Sequence, residues 1–339
     1  MSKPVPKAAL YFYKQSIWAS VPLLALEEKG YGPNDLDLKE VDLSTVPTLV
    51  VPLANTLDPE IESRYKAIQD TKSIVEFLDK SRSPQSRTHT TSSAPAPALS
   101  PATIAFTTTS NKVIDLLHSE AADPNALRYM NARDDASLKK LSEELLPVIR
   151  AKRDTLDRLI RENETATIRL SPKTQKFWEL KRLASDGILS VLQDGARSTE
   201  ELDPEASVRR VEFFKAANEA WERLEQVLLQ VHQEVIGPYL LGDQLSIVDL
   251  HLAAWLARVA KLSGATAEDD GNTATAKIEN HIGHGFGLPK DVSIVEARRR
   301  AGLPPVNVQP HETQNRFAAF WDAVKERPSW KKVYGHGLH

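Results

Sequence analysis

The chain predicts a small α/β unit followed by an all-α helical domain, and three observations carry that reading. Short aromatic and aliphatic runs alternate with a helical pattern up to about residue 80. Residues 81–101 hold Ser, Thr, Pro and Ala without one aromatic, and beyond them helix follows helix with no strand pattern of comparable strength. The domains expected are therefore 1–80, a flexible linker over 81–101 that buries too little surface to offset ordering entropy, and 102–339, with an irregular insertion near 263–312.

Leu10 to Tyr13 reads as the first strand, because such side chains pack well on a pleated surface. From Ile17 to Lys29 the positions of Val21, Leu24, Ala25 and Leu26 predict a helix that Gly30 and Gly32 stop. A second strand at Leu36 to Val41 completes a strand, helix and strand, whose usual solution is parallel pairing with a right-handed crossover. Thr48 to Val51 and Tyr65 to Ile68 are the third and fourth strands, and Ser73 to Asp79 is a helix with Ile74, Phe77 and Leu78 facing inward.

In the second half, Phe214, Ala217, Trp221, Leu224, Leu228, Val231 and Val235 recur at alternating steps of three and four, which predicts one core-facing helix over about Ser207 to Val235. Leu138 to Ile160 is a further amphipathic segment. Ser246-Ile247-Val248-Asp249 places an acid three residues after a serine, so the two ends satisfy orphan helix N–H groups reciprocally. The helix it opens, Leu250 to Val259, is apolar almost all round and should be central and buried. Gly, Pro and charge then dominate 263–312, before Asn315 to Glu326 resumes a helical pattern.

Composition narrows the function. With 43 Lys+Arg against 46 Asp+Glu the net charge is −3, which excludes an obvious polyanion binder such as a nucleic-acid protein. Asp154, Asp157 and Glu296 interrupt the basic runs Arg150-Ala151-Lys152-Arg153 and Arg298-Arg299-Arg300, which read as solvated helix faces. The chain of 339 residues has no cysteine, so disulfides, cysteine-held zinc, iron–sulfur clusters and a cysteine nucleophile are excluded. Any thiol chemistry must come from a ligand. Residues 1–7 lack the apolar run of a secretory signal and no later stretch suits a membrane helix of about 20 residues, so the expectation is a cytosolic protein. His281 and His284 lack an acidic partner at ligand spacing and read as surface histidines, which leaves no metal site.

Five local motifs occur in a telling order. They are Ser16 with Ala25-Leu26-Glu27-Glu28-Lys29, then Val46-Pro47-Thr48-Leu49, Asp70-Thr71 before Ile74, Leu241-Gly242-Asp243 with the Ser246/Asp249 box, and Arg327-Pro328-Ser329-Trp330. In this order, over about residues 8–80 and 207–335, the chain resembles the cytosolic glutathione transferase superfamily. The resemblance implies a thioredoxin-like N-terminal domain that binds glutathione and an all-α domain that binds a hydrophobic electrophile.

Residue by residue, the resemblance implies that Ser16 is the catalytic hydroxyl that hydrogen-bonds the glutathione sulfur. Val46 and Pro47 would form the family's cis-proline turn, which pairs with the cysteinyl backbone. Asp70 and Thr71 would stand for the Glu-Ser pair that holds the γ-glutamyl end. The chemistry is physically sound, since lowering a thiol of pKa about 8.5 by one unit takes only about 1.4 kcal/mol, within reach of a hydroxyl donor and a helix N-terminus. Conjugation or peroxide reduction, the reactions of detoxification, is implied, as is a homodimer. Because Pro22 removes a backbone bond, Ser20 is a rival to Ser16, as the cap of a helix that starts later, and Tyr11 and Tyr13 could imitate tyrosine-type members but read as core.

One departure bears on activity. Family members carry a helix between the second and third strands, and here only Leu43, Ser44 and Thr45 stand between Asp42 and Val46. Two strand spacings are about 10 Å and three residues with their flanking bonds reach about 13 Å, so the connection closes but is taut. A second reading follows: a non-catalytic transferase-like module that binds ligands or protein partners through its helices.

Overall fold

The computed structural model describes residues 7–41, 46–52, 65–83 and 96–339. The shortened connection between Asp42 and Val46 and most of the expected linker, residues 84–95, lie outside the described residues. By its internal packing the described chain divides into two compact units, one formed by residues 1–122 and 225–339 and the other by 123–224.

The first unit opens with β1 (Ala8–Phe12), α1 (Ile17–Glu28), β2 (Leu36–Glu40), β3 (Thr48–Pro52), β4 (Tyr65–Ile68) and α2 (Thr71–Ser81). The four strands form one mixed sheet in the order β2-β1-β3-β4. β1 runs parallel to β2, with Phe12 opposite Glu40, and antiparallel to β3, with Tyr11 opposite Thr48. β3 is antiparallel to β4, with Leu49 opposite Ile68. The expected parallel pair and the expected small α/β fold are borne out. Leu10 and Leu49 are fully buried in the sheet, with Val21 and Ala25 of α1 and Ile74 and Val75 of α2. Phe77 is a correction: it lies on the exposed side of α2, and Ile74, Val75 and Leu78 are the apolar members of the buried face, which Thr71 and Asp79 share.

The unit continues with α3 (Ile104–Leu117). Its later part, beyond 224, holds α8 (Ile247–Leu262), α9 (Gly271–Ile282), β5 (Val292–Ser293), α10 (Ile294–Arg300), β6 (Thr313–Gln314), α11 (Arg316–Lys325) and α12 (Pro328–Tyr334). α8 is the central helix the sequence predicts, buried from Ile247 to Ala260. Trp255 fixes it by donating its ring N–H to the Ala122 carbonyl at 2.8 Å.

Motifs far apart in sequence meet here. Glu28 accepts from the Arg327 guanidinium, which also donates to the Tyr239 hydroxyl at 3.0 Å, and from the Ser329 hydroxyl. Lys29, buried, donates to Asp79 at 2.8 Å and to the Pro97 carbonyl at 2.6 Å, while Asp79 also accepts from Leu99 N and Ser100 N. The described end of the linker is thereby tied to the start of the chain.

The expectation of an irregular 263–312 is corrected. Asp270 caps α9 by accepting from Thr273 N at 2.7 Å, Ser293 caps α10, and β5 pairs with β6. Gly271 begins α9 so close to α11 that a Cβ would stand 2.1 Å from the Ala318 carbonyl oxygen. Glycine there permits the close approach that docks the helix.

The second unit contains α4 (Pro124–Tyr129), α5 (Asp135–Glu164), α6 (Pro172–Leu192) and the first part of α7 (Pro204–Glu234). α5 and α6 pack around Leu138, Leu141, Leu145 and Ile149 with Leu189 and Leu192. The buried Arg210 of α7 donates to Asp135 and to the carbonyls of Arg197 and Asp194. Among the described residues no helix is long and apolar enough to cross a membrane.

Candidate functional site

The sheet register brings the expected glutathione residues to one end. β1 reaches that end at Phe12, β3 starts there opposite Tyr11, and β4 finishes there opposite Leu49. Ser16 therefore follows β1, Val46-Pro47 leads into β3, and Asp70-Thr71 follows β4, all at the same edge of three neighbouring strands.

Ser16 is the N-cap of α1, with φ −81° and ψ 122°. Its Oγ accepts from Ala19 N at 3.4 Å and its carbonyl accepts from Ser20 N at 3.2 Å. An accepting bond uses a lone pair, so the half-buried hydroxyl keeps its proton to donate. The first turn holds no acidic residue, and the N–H groups of Ile17 and Trp18 find no acceptor among the described residues. The positive end of α1 is thus left uncompensated. The turn before it is held by Arg258, which is buried and donates to the Gln15 carbonyl at 2.7 Å.

Ser20, the rival, is inside α1 and 1% exposed. Its hydroxyl lies 2.9 Å from His339 Nε2 and 3.3 Å from the Ser16 carbonyl, so it is engaged in packing. α1 runs unbroken past Pro22 to Glu28, which leaves Ser16 as the cap. The half-buried Tyr11 lies in β1 with its hydroxyl 3.4 Å from Lys39 Nζ, and Tyr13 follows the strand.

The Val46–Pro47 peptide is cis, with Pro47 buried and Val46 half-buried. Asp70 caps α2 by accepting from Ser73 N at 2.7 Å and remains exposed, and Thr71, the first residue of the helix, is buried. Among the described residues no group of three or more His, Asp or Glu could hold a metal ion.

The structure adds three residues that the sequence reading misses. Trp18, two positions after Ser16, stacks on His118 with ring centroids 3.6 Å apart and planes at 20°. His118 Nε2 lies 2.9 Å from Nδ1 of His251, which is fully buried on α8. Burial pushes the His251 imidazole well below its ordinary pKa, and His118 and Lys72 add to that. Burial also lowers His118, against the charges of Asp70 and Asp115. Both rings are therefore neutral at pH 7. No local pattern could announce a pair 133 residues apart.

No protein-family profile matches the sequence, and no curated protein does. Solved structures similar to this chain include glutathione transferase Omega 3C from Trametes versicolor, at 16% identity and TM-score 0.43 over 98% of this chain and 85% of that one. A glutathione transferase from Populus trichocarpa matches at 13% identity and TM-score 0.43, over 96% of this chain and 97% of that one. The theta-class glutathione S-transferase of the citrus canker pathogen Xanthomonas axonopodis pv. citri, solved with glutathione bound, matches at 12% identity and TM-score 0.41 over 97% of both chains.

Proposed function

We propose that the chain is a glutathione transferase: glutathione lies along the sheet end where β1, β3 and β4 terminate, and its sulfur, held as thiolate by Ser16, attacks a hydrophobic electrophile or a peroxide. The observation that carries this reading is the register that gathers Ser16, Val46-Pro47 and Asp70-Thr71 at one sheet end. β1 and β4 are two strand spacings apart, about 10 Å, which is the reach of an extended tripeptide. In this reading Val46 pairs with the cysteinyl backbone, and Asp70 and Thr71 take the γ-glutamyl end.

The open N-terminus of α1 favours an anion, and a hydroxyl bond to a charged sulfur adds about 1.5–3 kcal/mol, enough to lower a thiol pKa by one to two units. The nucleophile belongs to glutathione, because the chain has no cysteine with which to form a mixed disulfide. Residues 1–80 would be the glutathione-binding domain and 102–339 the substrate-binding domain of a cytosolic homodimer.

Calorimetric titration of the purified chain with glutathione tests the reading. Saturable binding at a ratio of one per chain supports it, and its absence from a folded protein removes it. The second reading, a non-catalytic module, is favoured by the sequence, which has only residues 41–47 between β2 and β3. Binding without turnover of any electrophile or peroxide would select it.

A further inference from the structure

Ser16 is held through both of its peptide planes. The Gln15 carbonyl and the Ser16 N–H belong to one rigid plane. Its oxygen accepts from the Arg258 guanidinium at 2.7 Å, and its N–H donates to the Tyr13 carbonyl at 2.9 Å. In the next plane the Ser16 carbonyl accepts from Ser20 N at 3.2 Å and from the Ser20 hydroxyl at 3.3 Å. With both planes fixed, φ and ψ of Ser16 are fixed, and they set the direction of its Cα–Cβ bond. Lys14 and Gln15 are exposed, so this is a surface turn, of the kind that moves unless it is tied to the core. Arg258, 3% exposed on α8, supplies such a tie from 243 residues away. Burying a guanidinium costs desolvation that an apolar side chain at the same place would avoid, and the return is a charged donor whose bond is about twice as strong as a neutral one. The group next to it carries no competing charge: burial, with the Arg258 charge added, drives the His339 imidazole down to about 4, and its Nε2 lies 2.9 Å from the Ser20 hydroxyl.

We propose that Arg258 is a positioning residue for the thiol chemistry: its grip on the Gln15 carbonyl orients Ser16 so that the hydroxyl points at the glutathione sulfur. The inference rests on the glutathione reading and adds to it a residue that acts through Ser16. A hydrogen bond weakens steeply once donor and acceptor leave alignment, and the Ser16 hydroxyl favours thiolate over thiol only while aligned. Releasing the turn therefore lets the hydroxyl drift from the sulfur, while the contacts proposed for Val46 and for Asp70-Thr71 stay. The signature of the role is a loss of thiolate stabilisation without a loss of the tripeptide's other contacts.

The test reads the thiol pKa of bound glutathione from thiolate absorbance against pH, in wild type, Arg258→Met, Arg258→Lys, Ser16→Ala and the double variant. Arg258→Met should raise it by about half a unit to one unit, no more than Ser16→Ala does. Arg258→Lys, which keeps a cation but replaces the fork by a point donor, should raise it by less, and carries the comparison if Arg258→Met does not fold. In the Ser16→Ala background Arg258→Met should add nothing, because the two residues act as one. Binding of S-methylglutathione, which has no thiol proton, should stay within about twofold of wild type and shows that the site is folded. An equal rise with and without the Ser16 hydroxyl, as a charge acting through space would give, overturns the proposal. So does an unmoved pKa, or loss of S-methylglutathione binding by both Arg258 variants, which would make the role structural. Each of these leaves the glutathione reading standing, whereas failure of the wild type to bind glutathione removes both.

Discussion

Ser16 and Ser246 each open a helix in the same unit, and their surroundings give them opposite capacities. At the start of α8, Asp249 accepts from Ser246 N, Ser246 Oγ and Leu240 N, each at 2.7 Å, and is wholly buried. Burial pushes the Asp249 carboxyl up to about 6, against the pull of those bonds and of Arg327, so it is ionised at pH 7 and the helix end is neutralised from within. At the start of α1, Ser16 offers one bond of 3.4 Å and no acid follows in the first turn. The same residue type at the same local position makes a closed end in one case and an open end in the other. Only the open end can add a hydrogen bond to an incoming anion without breaking one.

The largest effect separating the two ends is on stability. Asp249→Ala leaves Leu240 N and Ser246 N buried without an acceptor, and should cost about 3 kcal/mol or more in urea unfolding at pH 7. Ser16→Ala removes only a long bond at a half-buried position and should cost less than about 1 kcal/mol. Equal losses would break the distinction. The next effect is on chemistry. Ser16→Ala should lower kcat at saturating glutathione by about tenfold to a hundredfold and raise the pKa of the bound thiol by about one unit, read from thiolate absorbance against pH. A thiolate titration unmoved by Ser16→Ala would reduce Ser16 to a cap.

The contrast also marks what the sequence can reveal. Ser246-Ile247-Val248-Asp249 is legible because the bonds that matter run within four residues, and the same holds for the Asp70 cap and the Val46-Pro47 turn. The strands of the sheet are legible because each is a short apolar run set off from its neighbours. The Trp18–His118–His251 cluster is not, since it arises where α1, α3 and α8 come together, and each of its members taken alone fits an ordinary helix. The stretch 263–312 misleads for a different reason. Its Gly and Pro density masks the buried spacing Ala274, Ile278 and Ile282, and the tolerance for Gly271 comes from the nearby Ala318 carbonyl, which no local pattern encodes.

The smallest effect sharpens the comparison through the residue that links the two ends. His251 lies one turn into α8 and reaches the open end of α1 through His118 and Trp18. Its pKa is lowered in the fold, so below about 6.5 the unfolded chain binds a proton that the native state refuses, and stability falls as pH falls. At pH 5.5 a single such histidine contributes a loss of about 1.4 kcal/mol relative to pH 7.5. Asp249 works in the opposite sense: its raised pKa makes the native state bind protons first, so its share of stability increases as pH falls through about 6. Comparing wild type with His251→Phe cancels the Asp249 share, which is common to both. The variant should lose about 1 kcal/mol less than wild type between pH 7.5 and 5.5 in urea unfolding. Parallel losses would mean that His251 accepts a proton within the fold, and the open end of α1 would then stand beside a cation at acid pH instead of a neutral ring.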